Sequence, residues 1–351
     1  MKPHQTETTT RPRRRSRSGP ALLGTLALAA LLSACGSSSP ASSPGGTSGP
    51  SGTSASSSST SSTTSSSSSA SALPGAGKPT IVLGDKNFEE EYLLGYLYAD
   101  AFKAEGYHVV LKPNIGGSSL INRVFQAGKI NAYPEYLGEI AATDAGYTKP
   151  LTSEAQTYKL AEAYEQAHGA TVMKPETPFY DTDELVVLKS FAQAHHLTNV
   201  GQLKGLGPMK FCDYPSEENR YEGYLGLKEA YGLTNLQFVP LSTGLQYQAL
   251  DRHECTVADA FSTDPQLLSG KYTPLADTKH IFGFQHVGLV IKSKLLGELG
   301  PEFQTIYAKL TDLLTTSVMQ ALNKGVVIDK ASPQTVADAF LKANGLLGSR
   351  S

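Results

Sequence analysis

The sequence predicts an α/β fold in two lobes with a ligand cleft between them. From residue 79 onward, short β-branched apolar runs alternate with segments whose apolar residues recur every three or four positions, the spacings of strands and amphipathic helices. The alternation occurs twice, as two separate β-α-β series. The segment ahead of it cannot build a core, so the folded part starts near Pro79 and holds enough chain for two modest domains.

The first series begins with Thr80–Gly84 (TIVLG). A helix over Glu89–Glu105 follows, with Leu93, Tyr96, Leu97 and Ala101 on one stripe, and then a strand at Tyr107–Lys112. Gly116-Gly117 interrupts the chain, and Ser118 or Ser119 can cap a second helix faced by Leu120, Ile121, Val124 and Phe125. Ile130–Tyr133 is the third strand. This order predicts a parallel sheet covered by helices on both faces. The second series comprises strands at Leu185–Leu188, Met209–Asp213, Leu236–Val239 and Thr256–Phe261, with helices over Glu218–Tyr231 and Leu245–Arg252. Val287–Ile291 is one more strand, and the last sixty residues read as helical, with pauses at Gly300-Pro301 and Ser332-Pro333. Residues 79–182 and 287–351 form lobe 1, and residues 183–286 form lobe 2. The chain crosses over near Thr182–Glu184 and returns near His286–Val287. Strand carboxyl ends facing each other across two lobes line a shared cleft.

The N-terminus carries an export signature. Arg11, Arg13, Arg14, Arg15 and Arg17 precede an apolar run from Ala21 to Leu32, and Leu32-Ser33-Ala34-Cys35 reads as a lipobox. The run is too short to span a bilayer but suits a signal-peptide core. Residues 1–35 are therefore expected to be a lipoprotein signal ending at Cys35, the lipidated residue; a cleaved signal with a chance cysteine is the alternative. Residues 36–78 are mostly Ser, Gly, Thr, Pro and Ala, a composition that stays disordered. As a flexible tether they reach on the order of 35 Å. The folded part is expected at the extracytoplasmic face of the cell membrane, held by lipid.

Charge and cysteines exclude several function classes. The first 35 residues contribute a net +5 to the formal charge of −2, leaving the remainder near −7. No basic stripe survives there, so nucleic acid is not an expected partner. Cys212 and Cys255 lie in or beside two predicted strands, and an exported domain with two cysteines favours one disulfide; two buried free thiols are the alternative. The sequence lacks GxSxG, HExxH, Walker A and GxGxxG patterns, and its eight histidines are scattered. No enzyme activity, metal or cofactor is expected.

The remaining candidates sit at predicted strand ends. Gly84-Asp85-Lys86-Asn87-Phe88 follows the first strand, and Tyr133-Pro134-Glu135-Tyr136-Leu137-Gly138 the third. In the second series the corresponding segments are Glu218–Tyr221, Gly244–Tyr247 and Phe261–Asp264. Together with Arg220–Tyr224, Gly244–Leu250 and Ala260–Asp264, residues 84–139 resemble the quaternary-amine-binding (OpuAC-like) lipoproteins of ABC importers. These are the glycine betaine, choline and proline betaine group. The resemblance covers Pro79 to Leu347. It implies a type II periplasmic-binding-protein-like fold and a monomer that delivers its ligand to a membrane permease.

A trimethylammonium head has no N–H to donate, so aromatic faces hold it, at ~0.5–2 kcal/mol per contact. A betaine carboxylate requires Arg, Lys or backbone N–H partners. By resemblance, Tyr136 is a cage tyrosine, Tyr247 and Phe261 are aromatic positions of lobe 2, and Arg220 meets the ligand carboxylate. Lys86 and Asn87 contribute from the first loop. Each residue also has a plainer reading. Tyr136 could cover a helix end, Tyr247 and Phe261 could be core, Arg220 could pair with Glu217 or Glu218, and Lys86 could be a solvated loop lysine. Two departures from the family pattern concern charge. Glu139 stands where a small hydroxyl is usual, and Asp183-Glu184 stands at the crossover. Acids facing the cleft disfavour a carboxylate ligand and favour a cation without one, such as choline, or a ligand with an extra amine; pointing to solvent is their alternative. The other ligands compatible with this fold are an amino acid, a polyamine or an ergothioneine-like betaine. A surface lipoprotein without a transport role is a further alternative.

Overall fold

The structure is a computed structural model that describes residues 72–174, 179–242 and 244–347. The lipobox, Cys35 and the tether up to residue 71 lie outside the described residues.

Among the described residues, ten strands form two five-stranded sheets. The first contains β1 (Ile81–Gly84), β2 (Val109–Lys112), β3 (Ala132–Tyr136), β4 (Ala170–Met173) and β10 (Val287–Lys292), in the order β2-β1-β3-β10-β4. The second contains β5 (Asp183–Leu188), β6 (Met209–Asp213), β7 (Leu236–Pro240), β8 (Val257–Phe261) and β9 (Tyr272–Leu275), in the order β7-β6-β8-β5-β9. Each sheet is mixed, which corrects the expectation of parallel sheets. In the first, β1 runs parallel to β2 and β3, while β10 is antiparallel to β3 and β4. In the second, β6 runs parallel to β7 and β8, while β5 is antiparallel to β8 and β9. The reversed strands are the two that enter a lobe from the other one. They arrive through a crossover rather than a helix, so they are not bound by the parallel βαβ connection.

The crossovers run side by side. Tyr180 and His286 form an antiparallel bridge, Asp181 N–H donates to the Gln285 carbonyl at 3.1 Å, and Val287 N–H donates to the Phe179 carbonyl at 3.2 Å. A short two-stranded ribbon therefore joins the lobes, a geometry suited to hinge motion.

Helices α1 (Glu89–Ala104), α2 (Ser118–Gln126), α3 (Leu137–Glu139, continuing as a wider turn to Asp144), α4 (Glu154–Ala167), α8 (Ser293–Leu299), α9 (Pro301–Thr311), α10 (Thr316–Val327) and α11 (Pro333–Ala343) accompany the first sheet. Lobe 2 contributes α5 (Lys189–His195), α6 (Tyr224–Glu229) and α7 (Gln246–Asp251). The α1 stripe lies in the larger core: Leu93, Leu97 and Phe102 are fully buried, and Phe102 stacks on Phe303 with centroids 4.2 Å apart. Burying each such side chain contributes roughly 1.5–3 kcal/mol.

The helix expected over Glu218–Tyr231 is broken in two. Pro215–Asn219 forms a 3₁₀ turn, Arg220 is extended, and α6 starts only at Tyr224. The break lets the chain fold tightly on itself. A Cβ at Gly223 would lie 2.5 Å from the Glu217 carbonyl oxygen, a contact open to glycine alone.

Cys212 ends up beside Cys255 because β6 neighbours β8, and the two are joined by a disulfide with a Cα–Cα distance of 5.9 Å. The bridge spans a sequence separation of 43, and closing a loop of that size is worth about 3–4 kcal/mol. The Cys212→Ser/Cys255→Ser double variant should lose about that much stability in urea unfolding. Mass spectrometry of unreduced, alkylated wild-type protein should show the linked peptides; free thiols at both positions would overturn the assignment.

Candidate functional site

The carboxyl ends of β1, β3, β6 and β8 converge on a cleft of about 780 Å³ between the two sheets, within the usual range for small-molecule sites. The β1–α1 loop, the start of α1 and the β3–α3 junction form one wall. Asp183, the loop after β6, the start of α7 and the turn after β8 form the other. Asp181 and Gln285 close the hinge end, and Asn323 and Val327 reach in from α10.

On the first wall, Lys86 is almost fully buried. Its Nζ donates to Glu135 and to Ser118 Oγ (3.3 Å), and it lies 3.8 Å from Glu91. It also stands 4.2 Å from the Tyr136 ring centroid and 5.6 Å from that of Phe88. Burial opposes the ammonium charge, but Glu135 and Glu91 outweigh it and hold the Lys86 pKa above its ordinary value. Tyr136 donates its hydroxyl to Glu90 (2.7 Å), and its ring stacks with Phe88 at 6.1 Å. The lobe-1 aromatic pair thus already carries a cation of the protein's own. Its backbone is fixed from the hinge, where Glu139 N–H donates to Gln285 Oε1 at 3.1 Å. That approach requires Gly138, since a Cβ there would lie 2.4 Å from the same oxygen.

On the second wall, Tyr214 and Phe261 stack at 5.8 Å with a 14° interplanar angle. Asp183 is the register partner of Phe261 across β5 and β8, so the carboxylate and the ring share a face of the sheet. Among the described residues, no Lys or Arg stands over either ring. Asp264 Oδ2 accepts from Phe261 N–H (3.0 Å) and Tyr247 Oη (2.8 Å).

Arg220 connects the walls. Its Nη2 lies 3.0 Å from Glu139 of lobe 1 and 2.9 Å from Glu222, and its Nη1 lies 3.2 Å from Glu217. Burial of Glu139 is outweighed by Arg220, which holds that carboxyl below its usual range. The other acids behave oppositely. Burial, reinforced by neighbouring carboxylates, pushes Glu90, Asp181 and Asp183 upward, and burial raises Asp264 to about 6. Among the described residues, Lys86 and Arg220 are the cations lining the cleft, set against Glu89, Glu90, Glu139, Asp181, Asp183, Glu217 and Asp264. The lining is acidic and rich in acceptors.

The expected residues distribute unevenly. Tyr136, Arg220, Phe261, Lys86, Asn87, Glu139 and Asp183 all line the cleft. Tyr247 does not. It packs behind the wall with Cys212 and Cys255, rests against Tyr272 at 4.7 Å, and positions Asp264. Arg220 has three carboxylate partners rather than an open guanidinium. Asp183 lines the cleft and Glu184 does not, consistent with the alternation of a strand. Sequence reasoning missed Tyr214 and Asn323, and it singled out the segments holding Asp181 and Gln246 without assigning either residue a role. Tyr214 was accessible to it, since it directly follows the strand ending at Asp213. Asn323 was not, because only the packing of α10 across both lobes brings it to Glu90 (2.7 Å) and the Thr263 carbonyl (3.2 Å).

Residues 79–343 match the family described as the substrate binding domain of ABC-type glycine betaine transport systems. The chain is 27% identical over 280 residues to a glycine-betaine-binding protein of Pseudomonas aeruginosa, covering 76% of this chain and 89% of that one. It is also 27% identical over 272 residues to the ergothioneine transport permease/ergothioneine binding protein EgtU of Helicobacter pylori, covering 76% of this chain but only 48% of that protein. Among solved structures, a glycine betaine/carnitine/choline ABC transporter protein superposes with a TM-score of 0.68 at 24% identity, covering 76% of this chain and 99% of that one. Ligand-free YehZ from Escherichia coli superposes at 0.63 with 20% identity, covering 76% and 99%. The superpositions establish a two-lobed binding-protein fold, and the family match over residues 79–343 places the chain among the substrate-binding domains of ABC-type glycine betaine transport systems.

Proposed function

We propose that this chain is the lipid-anchored, extracytoplasmic receptor of an ABC importer, and that it captures a quaternary-ammonium compound in the interlobe cleft and hands it to the membrane permease. The observation that carries this reading is the Tyr214–Phe261 ring pair beside Asp183, inside a cleft whose carboxylates outnumber its cations. Aromatic faces attract a permanent cation that cannot be held by N–H donation, and nearby carboxylates add long-range attraction. The names of the Pseudomonas and Helicobacter relatives agree with a ligand of the betaine type. Contacts made only when both walls touch the ligand favour the closed arrangement over the open one. The Leu32–Cys35 motif and the Ser-rich segment after it support the anchor.

Isothermal titration with choline, glycine betaine, carnitine and ergothioneine tests the ligand class. At least one should bind at micromolar to low-millimolar concentration, and silence from all four at millimolar ligand would remove the quaternary-ammonium reading. In the native host, wild-type protein should fractionate with membranes and a Cys35→Ser variant should not. Equal membrane retention would remove the anchor.

A further inference from the structure

We propose that the ligand is a cation without a carboxylate, and that its ammonium head rests on the Tyr214–Phe261 pair of lobe 2 rather than on Tyr136 of lobe 1. This rests on the quaternary-ammonium reading above and narrows it.

Glycine betaine and choline share the same trimethylammonium head. They differ at the other end, where one carries a carboxylate and the other a hydroxyl. Among the described residues, the cleft has no free cation for the carboxylate. Arg220 is shared among Glu139, Glu217 and Glu222 at 2.9–3.2 Å. Lys86 is committed to Glu135 and Glu91 within the first wall. A ligand carboxylate would have to displace a protein carboxylate from Arg220, which frees a negative charge as fast as it neutralises one. Like charges brought together in a partly desolvated site oppose binding strongly.

The position of the head follows from the same accounting. Lys86 stands over the Tyr136 face at 4.2 Å, so one ring face in lobe 1 is already taken by an ammonium. Tyr214 and Phe261 have no such occupant among the described residues. Asp183, opposite Phe261 in the β5–β8 register, adds a carboxylate next to the open rings.

Two buried polar side chains of the lining each hold an acceptor atom that has no partner. Asn323 donates its amide N–H groups to Glu90 and to the Thr263 carbonyl, which fixes the orientation of the amide, and its Oδ1 has no partner. Gln246 donates to Tyr214 Oη and leaves Oε1 without a partner. Both side chains are buried and line the cleft. Unpaired buried acceptors favour a ligand that brings a donor, such as a hydroxyl. A trimethylammonium alcohol satisfies all three features, whereas a betaine satisfies only the second, the open ring pair.

Calorimetric titration at pH 7.5 with choline and with glycine betaine tests this directly. Choline should bind at least about tenfold more tightly. Glycine betaine binding as tightly or more tightly overturns the inference and leaves the quaternary-ammonium reading in place; binding of neither also overturns it, and the quaternary-ammonium reading falls with it only when carnitine and ergothioneine are silent too. Two variants test the mechanism. Tyr214→Ala should weaken choline about tenfold or more while Tyr214→Phe retains most of the affinity; unchanged affinity in Tyr214→Ala overturns the assignment of the head. Asp183→Asn, close to isosteric, should narrow the choline-to-betaine ratio by several fold, and an unchanged ratio overturns its electrostatic basis.

Discussion

Lys86→Met lowers the folding stability by about 3–5 kcal/mol at pH 7.5, the loss expected when one partner of a buried ion pair is removed. Lys86 is 3% exposed, and Glu91 and Glu135 are fully buried. Without the ammonium, two neighbouring carboxyls remain inside the β1–β3 wall with no countercharge. Burial already pushes Glu91 well above its ordinary range against the pull of Lys86, and Glu135 raises it further. Removing Lys86 leaves protonation as the only relief. The deficit should therefore shrink by more than half at pH 5.5, where both carboxyls take up protons at little cost. Urea unfolding of wild type and variant at the two pH values measures this. A loss under about 1 kcal/mol at pH 7.5 would mean that Lys86 is an ordinary solvated loop lysine. A loss of the expected size that is the same at pH 5.5 would place its origin in packing. The experiment also separates two roles that sequence reasoning merges, because a lysine that only touched ligand would change affinity without changing stability.

The contrast between Lys86 and Phe261 shows what the sequence made legible. Strand and helix periodicities are local, so β1, α1, β2 and β8 are readable from a dozen residues each; strand carboxyl ends together with the family resemblance led to Phe261 and Tyr136, and the departure from the family pattern at the crossover led to Asp183. Whether Lys86 is solvated or buried depends on Glu135, 49 residues away, and no local pattern encodes that. Tyr247 sits one helical position from Gln246, yet one packs against the disulfide and the other lines the cleft. Which is which depends on the angle at which α7 meets β6 and β5. The Glu218–Tyr231 segment has helical composition, but Gly223 and Gly226 allow backbone approaches that a helix does not use. Arg220 therefore reaches across to Glu139 from an extended residue instead of projecting from a helix. The acidic character of the cleft was visible at Asp183 and Glu139. Its full extent was not, because Asp181, Asp264 and Glu90 come from three separate segments.

That acidity leads to opposite pH responses of stability and binding. The ligand-free protein should be more stable at pH 5.5 than at pH 7.5. Burial raises Asp85, Glu165 and Asp213 to about 7, and raises Asp144 and Asp264 to about 6. A carboxyl with a raised folded-state pKa holds its proton more tightly folded than unfolded. Its contribution is complete below its unfolded value near 4 and is lost as pH climbs through 6 to 7. One fully buried group of this kind accounts for about 2 kcal/mol over that window. Glu139 has the reverse sign, but its folded pKa lies below 4.5, so its contribution survives at pH 5.5. Lys86 and Arg220, both raised, stay charged throughout. Together the groups should raise the melting temperature by at least about 5 °C on going from pH 7.5 to 5.5 at fixed ionic strength. A cationic ligand responds in the other direction, because it binds the ionised cleft and must displace protons from Asp183 and Asp264. Its affinity should fall several-fold over the same interval, and titrations in buffers of different ionisation enthalpy should register proton release. A melting temperature that is flat or falls on acidification would mean that these carboxyls are solvated and ionised. An affinity that rises on acidification would mean that the ligand meets the cleft as an anion.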